Sequence, residues 1–185
     1  MKMLAFDLEM NQPSNNIIQI GAVVGDLVTG AILEELNIYV NLSEEEKVTP
    51  YITKLTGITQ DHLDTRGIGL ALAYSQLKHL HTRHSPFINP LTWGGGDTTC
   101  LRSQLAVVDS AAAVNWCFGR RWIDVKTVFQ TVRLAQNKEF RGGLSKSLLK
   151  LGIKFNGTAH NAVDDARNTF LIYKELLTII NKEEK

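Results

Sequence analysis

The 185-residue sequence has only two cysteines and four prolines, and its formal net charge is only +1. Cys100 and Cys117 show no metal-ligand spacing, so we expect free thiols and a reducing, cytoplasmic location. No uninterrupted apolar run approaches about 18 residues, which argues against a membrane span and a membrane partner. Acidic residues soon follow Lys2 where a leader would be apolar, so we expect no signal peptide. These scarcities indicate one globular domain at residues 1–181, followed by a short charged tail at 182–185.

The charge of the chain is unevenly distributed along the sequence. Residues 1–92 carry 6 Lys/Arg and 10 Asp/Glu, whereas residues 93–185 carry 14 and 9. Between Asn115 and Phe155, nine basic residues accompany only two acidic ones. This basic stretch favours a polyanionic substrate that is held by its backbone. Lysine-rich helix surfaces that serve only solubility have the same composition, so composition alone leaves both interpretations open.

Turn residues and hydrophobic periodicity divide the chain into elements. Three strands are predicted first, near Lys2–Glu9, Asn16–Gly25 and Ala31–Asn41, and another near Ile88–Trp93. The other predicted elements are helices capped by Thr49 and Thr59, helices near Ile68–Thr82, Thr98–Ala106, Val125–Ala135, Leu144–Leu151 and Asn161–Ile180, and an extended piece at Arg121–Asp124. A strand meander followed by alternating helices and strands indicates an α/β fold. We expect a mixed sheet of about five strands with helices on both faces.

Two acidic residues stand one residue apart in the apolar stretch FDLEM at residues 6–10. Alternate side chains of a β-strand share a face, so Asp7 and Glu9 point one way while Phe6 and Leu8 point the other. Adjacent carboxylates repel, and each resists burial unless a positive charge lies between them. The pair therefore indicates either an edge strand with a solvated acidic face or half of a divalent metal site.

A third acid, Asp97, is a candidate for the same site. It follows a predicted buried strand and the three glycines of WGGGD, where the backbone can approach a ligand closely. The same position is also that of an N-cap for the helix that follows, and the two roles are compatible.

The stretch HNAVDDARNT offers two adjacent acids, and helical phase distinguishes them. At about 100° per residue, Asp165 lies on the inward apolar stripe with Ala162. Asp164 lies at the outer edge, three residues after Asn161, at the spacing of a reciprocal capping interaction. An inward acid needs a partner, and its face offers no basic residue, so a metal ion is the better candidate for Asp165. His160 lies just before this helix, and a histidine side chain can abstract a proton near neutral pH.

Other catalytic motifs do not occur in this sequence. The glycines at 94–96 and 142–143 lack the Gly-Lys-Ser/Thr sequence of a phosphate-binding loop. No serine stands in the strained strand-to-helix turn of a hydrolase nucleophile. Catalysis at a divalent metal site formed by the acidic residues is therefore the main catalytic hypothesis.

In this order, FDLEM, WGGGD and HNAVDDA resemble the three exonuclease motifs of the DEDDh 3′–5′ exonucleases, a superfamily with a ribonuclease H-like fold. The segment KLTGIT resembles the family segment between the first two motifs. The C-terminal stretch GLSKSLLKLGIKFNGTAHNAVDDARNT resembles the Eri-type exoribonucleases and their bacterial relatives. The resemblance spans nearly the whole chain, with one departure at the triple glycine before Asp97, where relatives often carry a bulkier residue.

The resemblance implies a hydrolase that releases nucleoside 5′-monophosphates from the 3′ end of single-stranded DNA or RNA with two Mg²⁺ or Mn²⁺ ions. In the family pattern Asp7 would bridge both ions, and Asp97 would hold the second ion. Glu9 and Asp165 would hold the ion that activates water. His160 would take the proton from the attacking water.

The resemblance also suggests where the terminal base would bind. Met10, Gly57, Ile58 and Trp93 stand at motif positions that could line or wedge its pocket; for neighbouring Leu55, core packing is the better account. Two other functions remain open: a non-catalytic nucleic-acid-binding domain and a polymerase-associated proofreading subunit. All five expected catalytic residues are present, which disfavours the first. The sequence shows no distinct polymerase-binding tail, which disfavours the second, and a homodimer partner is also compatible.

Overall fold

The structure is a computed structural model that describes residues 1–183. Of the tail predicted at 182–185, residues 184–185 lie outside the described residues, and residues 182–183 belong to the last helix. The five strands are β1 (Lys2–Met10), β2 (Ile17–Asp26), β3 (Ile32–Tyr39), β4 (Leu91–Thr92) and β5 (Ile123–Asp124). They form one sheet in the order β3-β2-β1-β4-β5, in which β1, β2 and β3 are antiparallel and β4 and β5 run parallel to β1. The predicted mixed five-strand sheet is confirmed.

Eight helices accompany the sheet in the described part of the chain. They are α1 (Pro50–Thr56), α2 (Gln60–Arg66), α3 (Leu70–His84), α4 (Asp97–Val108), α5 (Ser110–Val114), α6 (Val125–Ala135), α7 (Leu144–Lys150) and α8 (Ala162–Glu183). Thr49 and Thr59 cap α1 and α2 as predicted. The short helix α5 was not predicted; Asp109 caps it by accepting the backbone N–H of Ala112 at 2.9 Å.

The fourth strand is shorter than predicted from the apolar run at 88–93. Only Leu91 and Thr92 pair with the neighbouring strands. Pro90 has no N–H to donate to a ladder, and Ile88 before it is exposed. The ladder therefore begins only after the proline.

Helices cover both faces of the sheet, as predicted. On one face Leu4, Phe6 and Leu8 of β1 join a buried cluster with side chains of α3, α4 and α5. On the other face Met3 and Ala5 join a cluster with side chains of α6, α7 and α8. The alternation along β1 places Asp7 and Glu9 on this second face, which α8 crosses. No helix within residues 1–183 is both long and apolar enough to cross a membrane.

Candidate active site

The strand β2 determines how closely α8 approaches the acidic end of β1. In the antiparallel register Asp7 lies opposite Gly21, and Glu9 lies opposite Gln19. A Cβ atom on Gly21 would lie 2.0 Å from the backbone carbon of Ala162, the first residue of α8. Only glycine therefore allows the start of α8 to rest directly on the sheet beside the two acids.

Gln19 also holds the start of α8. Its Oε1 accepts the backbone N–H of Ala162 at 3.1 Å, and its Nε2 donates to Oδ1 of Asn37 on β3 at 2.8 Å. Sequence analysis did not identify Gln19 or Gly21 as site residues. A glycine inside an apolar strand is a recognised signal of close backbone approach, but the sequence does not show which segment approaches it.

Four carboxylates converge where β1, α4 and α8 meet. Burial raises the pKa of Asp7 well above its ordinary value, and the negative charges of Asp97, Asp165 and Glu9 raise it further. Burial, with the charges of Asp165 and Asp97, raises the pKa of Glu9 to about 8. Burial likewise raises the pKa of Asp97 to about 7 and that of Asp165 to about 6. The site therefore holds more negative charge than it can keep ionised without a cation.

His160 lies at the open edge of this cluster. Its ring, the Glu9 carboxylate and the Asp165 carboxylate each offer one ligand atom, and these three atoms lie within 4.8 Å of one another. The residue is exposed and has a left-handed backbone with φ of +63°. Its backbone N–H donates to Oδ2 of Asp165 at 3.2 Å. The structure thus brings the predicted histidine to the predicted acids.

Asp97 is not the N-cap of its helix, which corrects one of the two roles considered for it. Gly96 occupies the N-cap position, and Asp97 is the first residue of α4. A side chain at that position can point back toward the sheet. The negative charge of Asp97 raises the pKa of both Asp7 and Glu9. The carboxylate is therefore available to a metal ion.

Asp124 supports the glycine loop that precedes Asp97. Its Oδ1 accepts the backbone N–H of Gly94 at 3.2 Å and that of Thr127 at 3.1 Å, so one carboxylate joins the loop to the start of α6. Thr92 holds the same loop through a 2.6 Å hydrogen bond to the carbonyl of Gly94. Sequence analysis missed Asp124 as a positioning residue, because its partner Gly94 is 30 residues away.

The capping interaction predicted for Asp164 is wrong. Its carboxylate accepts the backbone N–H of Thr158 at 2.8 Å and pairs with Arg167, which also binds Glu35 of β3 through two hydrogen bonds. Within residues 1–183, Oδ1 of Asn161 has no hydrogen-bond partner. The segment before α8 folds back over this side of the helix, so Asp164 is half-buried and holds that segment. The two adjacent acids still separate as predicted, because only Asp165 lies among the site acids.

The four residues predicted to contact the terminal base lie in different local surroundings. Met10 ends β1 and its sulfur lies 3.3 Å from the sulfur of Cys100 on α4. Gly57 ends α1 with φ of +76° and has open space where a side chain would stand. Ile58 is only 2% exposed and packs in a small cluster with core side chains. Trp93 is partly buried and lies 6.3 Å from Phe129, ring centre to ring centre.

The donor set fits a divalent metal. No lysine or arginine among residues 1–183 forms an ion pair with Asp7, Glu9, Asp97 or Asp165. Hard cations such as Mg²⁺ and Mn²⁺ prefer carboxylate oxygens, whereas structural zinc sites favour sulfur and nitrogen ligands. A bound divalent cation would therefore supply the positive charge that the protein itself does not.

Comparison with known proteins agrees with this arrangement. Residues 4–78 match the RNase_T family model, which is described as an exonuclease. ERI1 exoribonuclease 2 of Danio rerio is 29% identical over 193 residues, covering 92% of this chain and 33% of the relative. The 3′-5′ exonuclease eri1 of Schizosaccharomyces pombe is 24% identical over 186 residues, covering 88% and 61%. The chain spans about a quarter to a third of the length of the vertebrate ERI1 exoribonuclease 2 relatives.

The fold is also similar to that of a solved nuclease domain. The nuclease domain of 3′hExo, a DEDDh family member bound to rAMP, superposes with a TM-score of 0.80 at 20% identity. The match covers 96% of this chain and 92% of that domain. The chain is therefore similar in sequence to 3′–5′ exonucleases over most of its length, and it has the ribonuclease H-like fold of that DEDDh nuclease domain.

Proposed function

We propose that this chain is a 3′–5′ exonuclease that hydrolyses phosphodiester bonds at the 3′ end of single-stranded DNA or RNA and releases nucleoside 5′-monophosphates. The observation that carries the proposal is the convergence of four carboxylates without a basic partner among the described residues, beside an exposed histidine. The names of the relatives, which include 3′-5′ exonucleases and exoribonucleases, support both the activity and an RNA substrate.

The four carboxylates would hold two divalent ions, with Mg²⁺ and Mn²⁺ the best candidates. Asp7, at the centre of the cluster, would contact both ions, and Glu9, Asp97 and Asp165 would complete the ligand set. Such a pair of ions stabilises the attacking and leaving oxygens of an in-line displacement at phosphorus. The closely packed start of α8 holds Asp165 against the two acids of β1, so the ligands are positioned before the substrate binds.

His160 would accept the proton of the attacking water as a general base. Its ring lies beside Glu9 and Asp165, at the exposed edge where the water and substrate would enter. The basic stretch at residues 115–155 would hold the phosphate backbone of the nucleic acid, and Met10, Gly57 and Trp93 would surround the terminal base. Ile58 is too deeply buried to contact that base directly. Cytoplasmic localisation, a polymerase partner and a homodimer stay predictions.

The metal requirement gives the direct test of this function. Labelled RNA and DNA oligonucleotides of one sequence should be shortened from the 3′ end with Mg²⁺ or Mn²⁺ and remain intact with EDTA. Asp7→Asn should abolish hydrolysis, while the melting temperature of the metal-free protein should rise because one repelling carboxylate is removed. Full activity in EDTA, or in Asp7→Asn, would exclude the proposed metal site.

The proposed role of His160 as a general base can be tested with a substitution that preserves the backbone conformation of this residue. His160→Asn is the suitable change, because asparagine also accepts the left-handed conformation that this position has. The turnover rate should fall by about 10²–10⁴, the usual contribution of a positioned general base. The affinity for Mn²⁺, measured by calorimetry, should change little. A wild-type turnover rate in this variant would remove His160 from the mechanism.

The raised carboxyl pKa values predict how the stability of the metal-free protein depends on pH. In the folded protein Glu9 and Asp97 keep protons up to about pH 8 and 7, whereas unfolded carboxyls lose them near pH 4. The native state therefore binds more protons, and its stability decreases as the pH rises through this range. With EDTA present, the melting temperature should fall from pH 6.5 to 8.5, and Mg²⁺ should reduce the fall. A melting temperature that rises over this range would contradict the proposed charge cluster.

A further inference from the structure

A cavity of about 380 Å³ lies on the side of α4 that faces away from the end of β1. At about 100° per residue its α4 residues share one face, whereas Cys100 and Gln104 lie on the opposite face, toward Met10 and Ile17. The lining of the cavity includes Thr98, Arg102, Trp116, Arg120 and Trp122. None of them is among the residues predicted to bind metal or the terminal base.

Trp122 is one of two tryptophans that line this cavity. It is partly buried, and no aromatic ring within residues 1–183 stacks on it. Its Nε1 and Cζ2 atoms lie 3.8 and 3.9 Å from the position that a Cβ of Gly95 would occupy. The ring therefore stands beside the glycine loop that leads directly into Asp97. An unstacked tryptophan in basic surroundings is typical of surfaces that stack nucleic-acid bases.

The remaining cavity side chains suit a polyanion. Arg102 and Arg120 line the cavity, and no acidic side chain does. The guanidinium of Arg102 lies 5.8 Å above the ring of Trp116, and its Nε donates to the carbonyl of Ala113 at 3.3 Å. Trp116 in turn stacks on Tyr74 with ring centres 5.3 Å apart. These contacts orient Arg102 and Trp116 on this side of the cavity, which lowers the entropy cost of binding.

Two further features connect the cavity with the candidate active site. Gly94 and Gly96 have no atom within 4 Å of where a Cβ would stand, so an open backbone surface lies between the metal ligands and Trp122. Thr98 lines the cavity and is 6% exposed, and its hydroxyl has no hydrogen-bond partner within the described residues. A buried hydroxyl without a partner is unfavourable, and a ligand could satisfy it.

We propose that this cavity binds a base of the single-stranded nucleic acid that belongs to the second or a later nucleotide on the 5′ side of the scissile phosphate. Trp122 would stack on that base, and Arg102 and Arg120 would contact the neighbouring phosphates. The chain would cross the open glycine loop between the metal site and the cavity. This inference rests on the proposed exonuclease function and adds a second contact, which lets the protein distinguish a longer strand from a dinucleotide.

Binding measurements with EDTA test the cavity separately from hydrolysis. The dissociation constant of a labelled ten-nucleotide single strand would be measured by fluorescence anisotropy for the wild type, Trp122→Ala and Trp122→Phe. We expect Trp122→Ala to raise the dissociation constant by about 5- to 100-fold, the effect of losing one base–aromatic stack. Trp122→Phe keeps an aromatic face and should recover most of the affinity. With Mg²⁺, Trp122→Ala should raise KM for the ten-nucleotide strand and leave kcat and dinucleotide hydrolysis unchanged.

Phe87→Ala is the matched control for loss of an aromatic side chain. Phe87 is 45% exposed, and its backbone binds Lys2 at the opposite end of β1 from the acids. This variant should bind the oligonucleotide as the wild type does. Should Trp122→Ala fail to fold, Arg120→Ala provides the same comparison and should also weaken binding.

Three results would overturn the inference. They are an unchanged dissociation constant for Trp122→Ala, no binding by the wild type, and an equal loss for the dinucleotide, which would place Trp122 at one of the two nucleotides that flank the scissile phosphate. Failure of the proposed function gives a different result. A wild type that binds the strand through Trp122 but never hydrolyses it with Mg²⁺ or Mn²⁺ would support the cavity and contradict the exonuclease.

Discussion

Asp165→Asn is expected to remove nearly all hydrolysis, whereas its neighbour Asp164→Asn should keep a measurable part of the wild-type rate. Asp165 lies beside Asp7 and Glu9 and raises the pKa of both, so an amide there would remove one of the proposed metal ligands. Asp164 instead binds Thr158 and Arg167. Its loss would loosen the segment before α8 that carries His160, so we expect a reduced rate with metal binding retained.

Metal affinity and stability distinguish the two variants independently of rate. Mn²⁺ titration by calorimetry should show weakened binding for Asp165→Asn and near wild-type binding for Asp164→Asn. In EDTA the melting temperature should rise for Asp165→Asn, because a repelling charge is removed from the cluster. It should fall for Asp164→Asn, because a half-buried ion pair is broken. An inactive Asp164→Asn beside an active Asp165→Asn would mean that α8 is rotated by about 100° from its position here.

Gly21→Ala should reduce both stability and turnover, because the new methyl group would meet the backbone of α8 rather than a movable side chain. The added Cβ would lie 2.0 Å from atoms of Ala162 and Val163, so the start of the helix must move away from β2. Overpacking of this kind costs about 1–3 kcal/mol of folding free energy. Asp165 would move with the helix, and a displacement of about 1 Å at a catalytic site can reduce the rate about 10²-fold.

Gly25→Ala is the control for the stability component. This glycine lies on the same strand and face, but its added Cβ would meet the ring of Phe170, 2.3 Å away, farther along α8. The variant should lose stability in denaturant unfolding and keep most of the turnover measured at saturating Mg²⁺. Equal turnover in Gly21→Ala and the wild type would show that the close approach at Gly21 does not position Asp165.

The sequence by itself determined the features that depend on local periodicity. The two-residue repeat of a strand placed Asp7 and Glu9 on one face, and the structure confirms that β1 has this alternation. The helical repeat put Asp165 rather than Asp164 toward the acids of β1. The caps at Thr49 and Thr59 likewise depend on residues within one helical turn.

Only the tertiary structure decided how these acids are held together. Gln19 and Gly21 contact Ala162 across more than 140 residues, and Asp124 holds a loop that precedes it by 30 residues. The role of Asp164 changed for the same reason, since Arg167 connects it to Glu35 on a distant strand. Local periodicity determines the side of an element on which a residue stands, but not which distant segment packs there. That choice depends on the packing of the whole chain, in which a missing Cβ or a buried hydrogen bond selects the partner.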